Sequence, residues 1–146
     1  MFKKILVPLD GSDMSLLALD HACIMAEKFN SEILVLSVYR HHSFMESSLS
    51  MVRGASNPEN LEDVLRGYAK EIVNSGKLFV QNRGIESVKG YIRKGQVAKQ
   101  ILSFAKDNGI ELIVVGSHGQ GELSGYLLGG VSHKVTGLSS CPVLVV

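Results

Sequence analysis

The chain has 146 residues, enough for one ordinary domain with a core of its own. Hydrophobic residues make up 45% and charged residues 20%, as in soluble globular proteins and unlike disordered chains. A net charge of +1, only 6% aromatic residues and no Trp argue against a nucleic-acid partner held by bulk charge or by base stacking.

In chain order, Lys4 to Leu9 (KILVPL) is a short aliphatic run expected to form a strand, punctuated by Asp10-Gly11-Ser12. Its apolar run is too short for a signal peptide or a membrane span, so a cytoplasmic protein without membrane association is expected. From Asp13 to Phe29 the residues Leu16, Leu19, Ala22, Cys23, Ala26 and Phe29 recur at helical spacing, with Ser12 or Asp13 as the cap. Glu32 to Tyr39 (EILVLSVY) is a second, near-continuous apolar strand. Leu61, Val64, Leu65, Tyr68, Ala69, Ile72 and Val73 define a long helix, and Ser87 to Gly95 a weaker strand. Val97, Ala98, Ile101, Leu102 and Ala105 mark a third helix that Asn108-Gly109 ends in left-handed fashion. Glu111 to Gly116 (ELIVVG) is the fourth strand, Val131, Val135 and Leu138 a short helix, and Pro142 to Val146 (PVLVV) the last strand. Cys23 and Cys141 make no disulfide framework and are both expected to be buried free thiols.

Apolar strands without alternation, each followed by a helix, predict an α/β domain over 1–146 with a five-stranded parallel sheet between two helical layers. Right-handed crossovers favour the doubly wound order 3-2-1-4-5. Ligands in such sheets bind beyond the carboxyl ends of the strands where the winding reverses. Here those ends are Pro8-Leu9-Asp10 and Gly116-Ser117-His118-Gly119.

The second of these begins a segment with six glycines in fifteen residues, Gly116 to Gly130. Glycine in quantity loses backbone entropy on folding, so its presence at a switch point suggests that the backbone itself meets a ligand. Gly129 and Gly130 stand where a helix begins, and a helix N-terminus offers amide donors and a favourable dipole to phosphate. Ser132 adds a hydroxyl. The segment is neither a Walker A loop, since no Gly-Lys-Ser/Thr follows, nor a dinucleotide fingerprint, since it follows the fourth strand rather than the first.

The spacing Gly116-x2-Gly119-x9-Gly129 resembles the ATP-binding motif G-x2-G-x9-G-[S/T] of the universal stress protein family. The flanking segments ELIVVGSHG, LLGGVSHKV and CPVLVV, and the start KKILVPLDGSDMSLLALDHA, are similar to that family as well, so the resemblance covers essentially the whole chain. It implies an adenine nucleotide alpha hydrolase-like fold with ATP, ADP or AMP lying across strands 1, 2 and 4. Pro8, Leu9 and Asp10 would then line the ribose and adenine side, with Asp10 reaching the ribose or a bound Mg²⁺ ion. Val38 would meet the adenine through its backbone. Gly116, Gly119 and Gly129 would approach the triphosphate, Val131 and Ser132 would complete the cradle, and Ser117, His118 and Gly130 are expected among the nucleotide-binding residues between them. Gly130 departs from the family pattern, which has Ser or Thr there; one hydrogen bond to a charged group is worth up to about 3 kcal/mol.

His118 and His133 flank the cradle, and Glu122 is a loop carboxylate without a visible partner. The stretch shows no Lys or Arg finger for phosphoryl transfer, so at most weak ATP hydrolysis is expected. His41-His42 opens a long polar connection, Arg40 to Asn60, in which Phe44, Met45, Leu49, Met51 and Val52 suit a lid or a partner surface. Pro142 to Val146 should form an apolar sheet edge that pairs with a second copy, and the resemblance likewise implies a homodimer. The expected function is an adenine-nucleotide-binding regulatory protein acting on an unidentified protein partner. The alternatives are a slow ATPase or phosphotransferase in the same crevice, and a dimeric interaction module without nucleotide. A phospho-receiver domain is set aside because Ile92-Arg93-Lys94 stands where its strand-ending aspartate is required.

Overall fold

The computed structural model describes residues 1–40, 58–119 and 128–146. The elements are β1 (Lys4–Pro8), α1 (Asp13–Phe29), β2 (Glu32–Tyr39), α2 (Pro58–Asn82), β3 (Val88–Lys94), α3 (Val97–Asp107), β4 (Leu112–Val115), α4 (Gly130–Leu138) and β5 (Val143–Val145). All strand pairs are parallel, in the order β3-β2-β1-β4-β5. Winding reverses between β1 and β4, where Ile5 pairs with Leu112 and Leu6 with Ile113. The expected sheet and order are therefore those of the molecule.

Strand side chains alternate between faces, yet the runs Ile5–Val7 of β1, Ile33–Leu36 of β2 and Leu112–Val115 of β4 are continuously apolar and buried, because each face is covered. Ile5, Val7, Ile33, Val35, Leu112 and Val114 point into one core with Leu19, Ala22 and Cys23 of α1 and Val73 and Val80 of α2. Leu6, Leu34, Leu36, Ile113 and Val115 point into the other with Ile101 and Phe104 of α3 and Val135 of α4. Edge strand β3 lacks that double cover and is half-buried or exposed along its length.

Ser12, rather than Asp13, caps α1: its hydroxyl accepts from the Ser15 amide at 3.2 Å, and Asp13 sits in the first turn against the dipole. After α3 the left-handed residue is Gly109, at φ +62°, with the Ile110 amide returning to Ala105 O at 2.9 Å. Helix α2 runs to Asn82, well past the apolar pattern that ended at Val73. Cys23 is buried as expected, whereas Cys141 is only half-buried, because it precedes an edge strand that a single helix, α4, partly covers. Both thiols are free. Among the described residues no helix is long and apolar enough to cross a membrane. The expectations for Phe44, Met45, Leu49, Met51, Val52 and the His41-His42 pair, and for Glu122, lie outside the described residues.

Candidate functional site

The site grows out of the turn between β1 and α1. The Leu9 amide still donates to Leu36 O at 2.8 Å, holding the chain in register with β2 until the strand ends. Gly11 then takes φ +84°, a left-handed conformation that side chains rarely adopt, and the chain turns back into α1. This turn brings the Asp10 carboxylate against the start of the helix. Its Oδ1 accepts from the Ser12 amide at 2.9 Å and from the Ser12 hydroxyl at 2.5 Å. Ser15 is buried one turn further on, donating from its hydroxyl to Ser12 O at 2.9 Å and accepting from the Asp10 amide at 3.4 Å.

The opposite wall comes from the end of β4 and the start of α4. Gly116, Gly119, Gly129 and Gly130 all lack positive φ, so their value lies in the missing side chain rather than in an unusual backbone. A Cβ on Gly116 would lie 3.0 Å from the backbone of Met14, so glycine there lets α1 pack directly on the strand end. Ser117 closes the loop. Its amide donates to Val146 O at 2.8 Å, and its carbonyl accepts from the Gly129 amide at 2.8 Å and the Ser132 hydroxyl at 2.9 Å. The two ends of the glycine segment are thereby pinned together, and the Ser132 hydroxyl also lies 3.1 Å from Gly129 O. Gly129 is the residue before α4, and the first intrahelical bond runs from His133 N to Gly129 O at 2.9 Å. The amides of Val131 and Ser132 precede that bond, in the turn where a helix has donors to offer an anion.

Between these walls lies a cleft of about 240 Å³, toward the small end for a ligand site. Of the residues expected from the sequence, Pro8, Leu9, Asp10, Val38, Gly116, His118, Gly119, Gly129, Val131 and Ser132 line it. Ser117 and Gly130 do not: Ser117 is turned toward Val146 and His118, and Gly130 is exposed on the outer side of the helix start. His133 is exposed on α4 and also lies outside the lining. The structure adds Ser15, Leu36, Val97, Ile101 and Val115. In the sequence the four apolar ones are indistinguishable from ordinary core positions; the packing of α3 on the sheet makes Leu36, Val97 and Ile101 a wall, Val115 ends β4, and Ser15 enters from α1.

The chemistry divides along the cleft. Leu36, Val38, Val97, Ile101 and Val115 give one side an apolar surface suited to a flat aromatic group. The α4 start gives the other side amide donors, and Asp10 supplies a carboxylate between them. Among the described residues no cluster of three or more metal-ligating side chains occurs. Ser117 Oγ and His118 Nδ1 are hydrogen-bonded at 2.9 Å, which orients the imidazole at the cleft edge.

The model of the universal stress protein family matches residues 1–146. The chain belongs to the universal stress protein family. Universal stress protein YxiE of Bacillus subtilis is 41% identical over 150 residues, spanning 100% of this chain and 99% of that protein. The solved structure of universal stress protein UspA from Lactobacillus plantarum superposes with a TM-score of 0.84 at 25% identity, covering 99% of this chain and 97% of that one. Two solved members share the fold of this universal stress protein at lower identity. One, in complex with cAMP, is 23% identical with a TM-score of 0.71, over 99% and 96% of the two chains. The other, from Archaeoglobus fulgidus in complex with dAMP, is 19% identical with a TM-score of 0.70, over 99% and 98%.

Proposed function

We propose that this universal stress protein binds an adenine nucleotide, ATP or the related ADP and AMP, in the cleft at the switch point, and serves as a cytoplasmic homodimeric regulator. The observation that carries this reading is a single cleft over β1, β2 and β4 that brings together an apolar wall, a held carboxylate and a helix N-terminus. A purine suits the apolar wall, a ribose hydroxyl suits Asp10, and phosphate oxygens suit the amides that open α4. The adenine-nucleotide complexes of the two distant family members support the same assignment.

Mg²⁺ usually binds proteins through one or two carboxylates together with substrate phosphates rather than through a full protein cage. Asp10, the carboxylate that lines the cleft, is assigned to the ribose in this reading, so a Mg²⁺ ion would be held through the phosphates and would offset their charge. The C-terminal strand β5 lies at the edge of the sheet, where pairing with a second copy would extend it.

The experiment is to denature the purified protein after incubation with ATP and Mg²⁺ and desalting, then identify what is released by mass. An adenine nucleotide approaching one per chain is expected. A protein that releases none would contradict the assignment.

A further inference from the structure

Gly119 has a structural reason to be glycine that no phosphate is needed to supply. Its φ is not in the left-handed region, so the backbone does not require it. A Cβ built there would lie 2.6 Å from Asp10 Oδ2, with Asp10 Cγ next at 3.8 Å. At 2.6 Å something has to shift, and the shift is cheap only if the carboxylate can swing away. Ser12 prevents that. Its amide and hydroxyl both donate to Asp10 Oδ1, at 2.9 and 2.5 Å. Ser12 is itself anchored, because its hydroxyl accepts from the Ser15 amide at 3.2 Å as the cap of α1. The carboxylate therefore spans the switch point, one oxygen fastened to the α1 start and the other fitted against the β4 loop.

We infer that Ser12 and Gly119 are positioning residues for Asp10. Ser12 fixes Oδ1, Gly119 leaves the room that Oδ2 occupies, and together they set the orientation in which Asp10 meets the nucleoside half of the ligand. The inference rests on the adenine-nucleotide assignment above. It gives Gly119 a different task from the one its place in a phosphate motif suggests: its missing side chain serves the sugar end of the site.

Adenosine, which carries no phosphate, separates the two roles. Binding of adenosine and of ATP with Mg²⁺ is measured by calorimetry or NMR titration for the unaltered protein and for Gly119→Ala, Asp10→Ala and the double variant. Gly119→Ala is expected to weaken adenosine and ATP by the same factor, about tenfold for loss of one charge-assisted hydrogen bond. In the Asp10→Ala background the same change is expected to cost less than about twofold, since residues that act through one contact are not additive. Ser12→Gly removes the hydroxyl donor to Asp10 while leaving a residue that is tolerated at a helix cap, so the melting temperature is expected to change little. It is expected to weaken adenosine as Gly119→Ala does, and Ser12→Thr, which retains the donor, to restore it. Weakened ATP with unchanged adenosine in Gly119→Ala would return that glycine to the phosphates and overturn the inference. Unchanged adenosine affinity in Ser12→Gly would overturn it independently, even if Gly119→Ala failed to fold. An unaltered protein that binds neither compound would remove the underlying assignment and the inference with it.

Discussion

Cys23 has no exposed surface where α1 meets the sheet, and burial pushes its thiol from the ordinary 9.0 up to about 11. The nearby Arg83 guanidinium opposes that rise, while Asp20 and Glu27 add to it. A thiol held neutral by the fold keeps its proton where the unfolded chain has lost it, so its contribution is intact below pH 9 and drains away as pH rises toward 11. Two pKa units correspond to about 2–3 kcal/mol. Chemical unfolding of the parent and of Cys23→Ala across that range should show the steeper loss in the parent; parallel curves would count against a raised thiol. At Gly130 an added side chain meets nothing within 4 Å, so Gly130→Ser should fold as well as the parent. If the family's hydroxyl contacts phosphate from there, ATP affinity should rise by up to about tenfold; unchanged affinity would show that it does not. The motif glycines were legible in the sequence as a spacing, whereas what each one makes room for was not. Met14 beside Gly116 and Asp10 beside Gly119 are tertiary neighbours more than 100 residues away in the chain.

Helix α2 shows where periodicity stops informing. Its second half packs on the sheet through Ile72, Val73, Phe79 and Val80, and the stripe is broken where Gly76 takes the place of an apolar side chain. A Cβ on Gly76 would lie 2.4 Å from Leu9 Cδ1, and one on Gly90 of β3 would lie 2.3 Å from Val73 Cγ1. Glycine in a strand interior usually marks such a close approach. Gly90→Ala should therefore destabilise the fold by about 1–3 kcal/mol through overpacking, despite the better strand propensity of a side chain. A chemical denaturation midpoint equal to the parent's would show that α2 moves aside without cost. The start of α1 was easier to read, because Asp10-Gly11-Ser12 carries turn, acceptor and cap chemistry locally. The sequence left the cap open between Ser12 and Asp13, and the hydrogen bond to the Ser15 amide assigns it to Ser12.

At the scale of the molecule, strand order followed from two physical facts visible in the sequence: central strands apolar on both faces, and helices between them. The cleft lining was only partly visible, since Leu36, Val97 and Ile101 become a wall through the docking of α3 on the sheet. The proposed dimer would pair the outer edge of β5 with its copy in a second chain. Ile113 donates to Pro142 O and Val146 to Val115 O, so the alternate residues Val143 and Val145 turn their amides away from β4. Val145→Pro removes an outward donor while sparing the bonds to β4. It should convert a dimer to a monomer in sedimentation with little change in far-ultraviolet circular dichroism. An unaltered dimer would place the interface elsewhere.

The central claim is that the switch-point cleft holds an adenine nucleotide, and calorimetric titration with ATP and Mg²⁺ tests it most directly. Saturable binding near one nucleotide per chain is expected, weakened by at least about tenfold in Gly119→Val while the fold persists, because a branched side chain there displaces the Asp10 carboxylate. Absence of binding by the unaltered protein at millimolar ATP would contradict it.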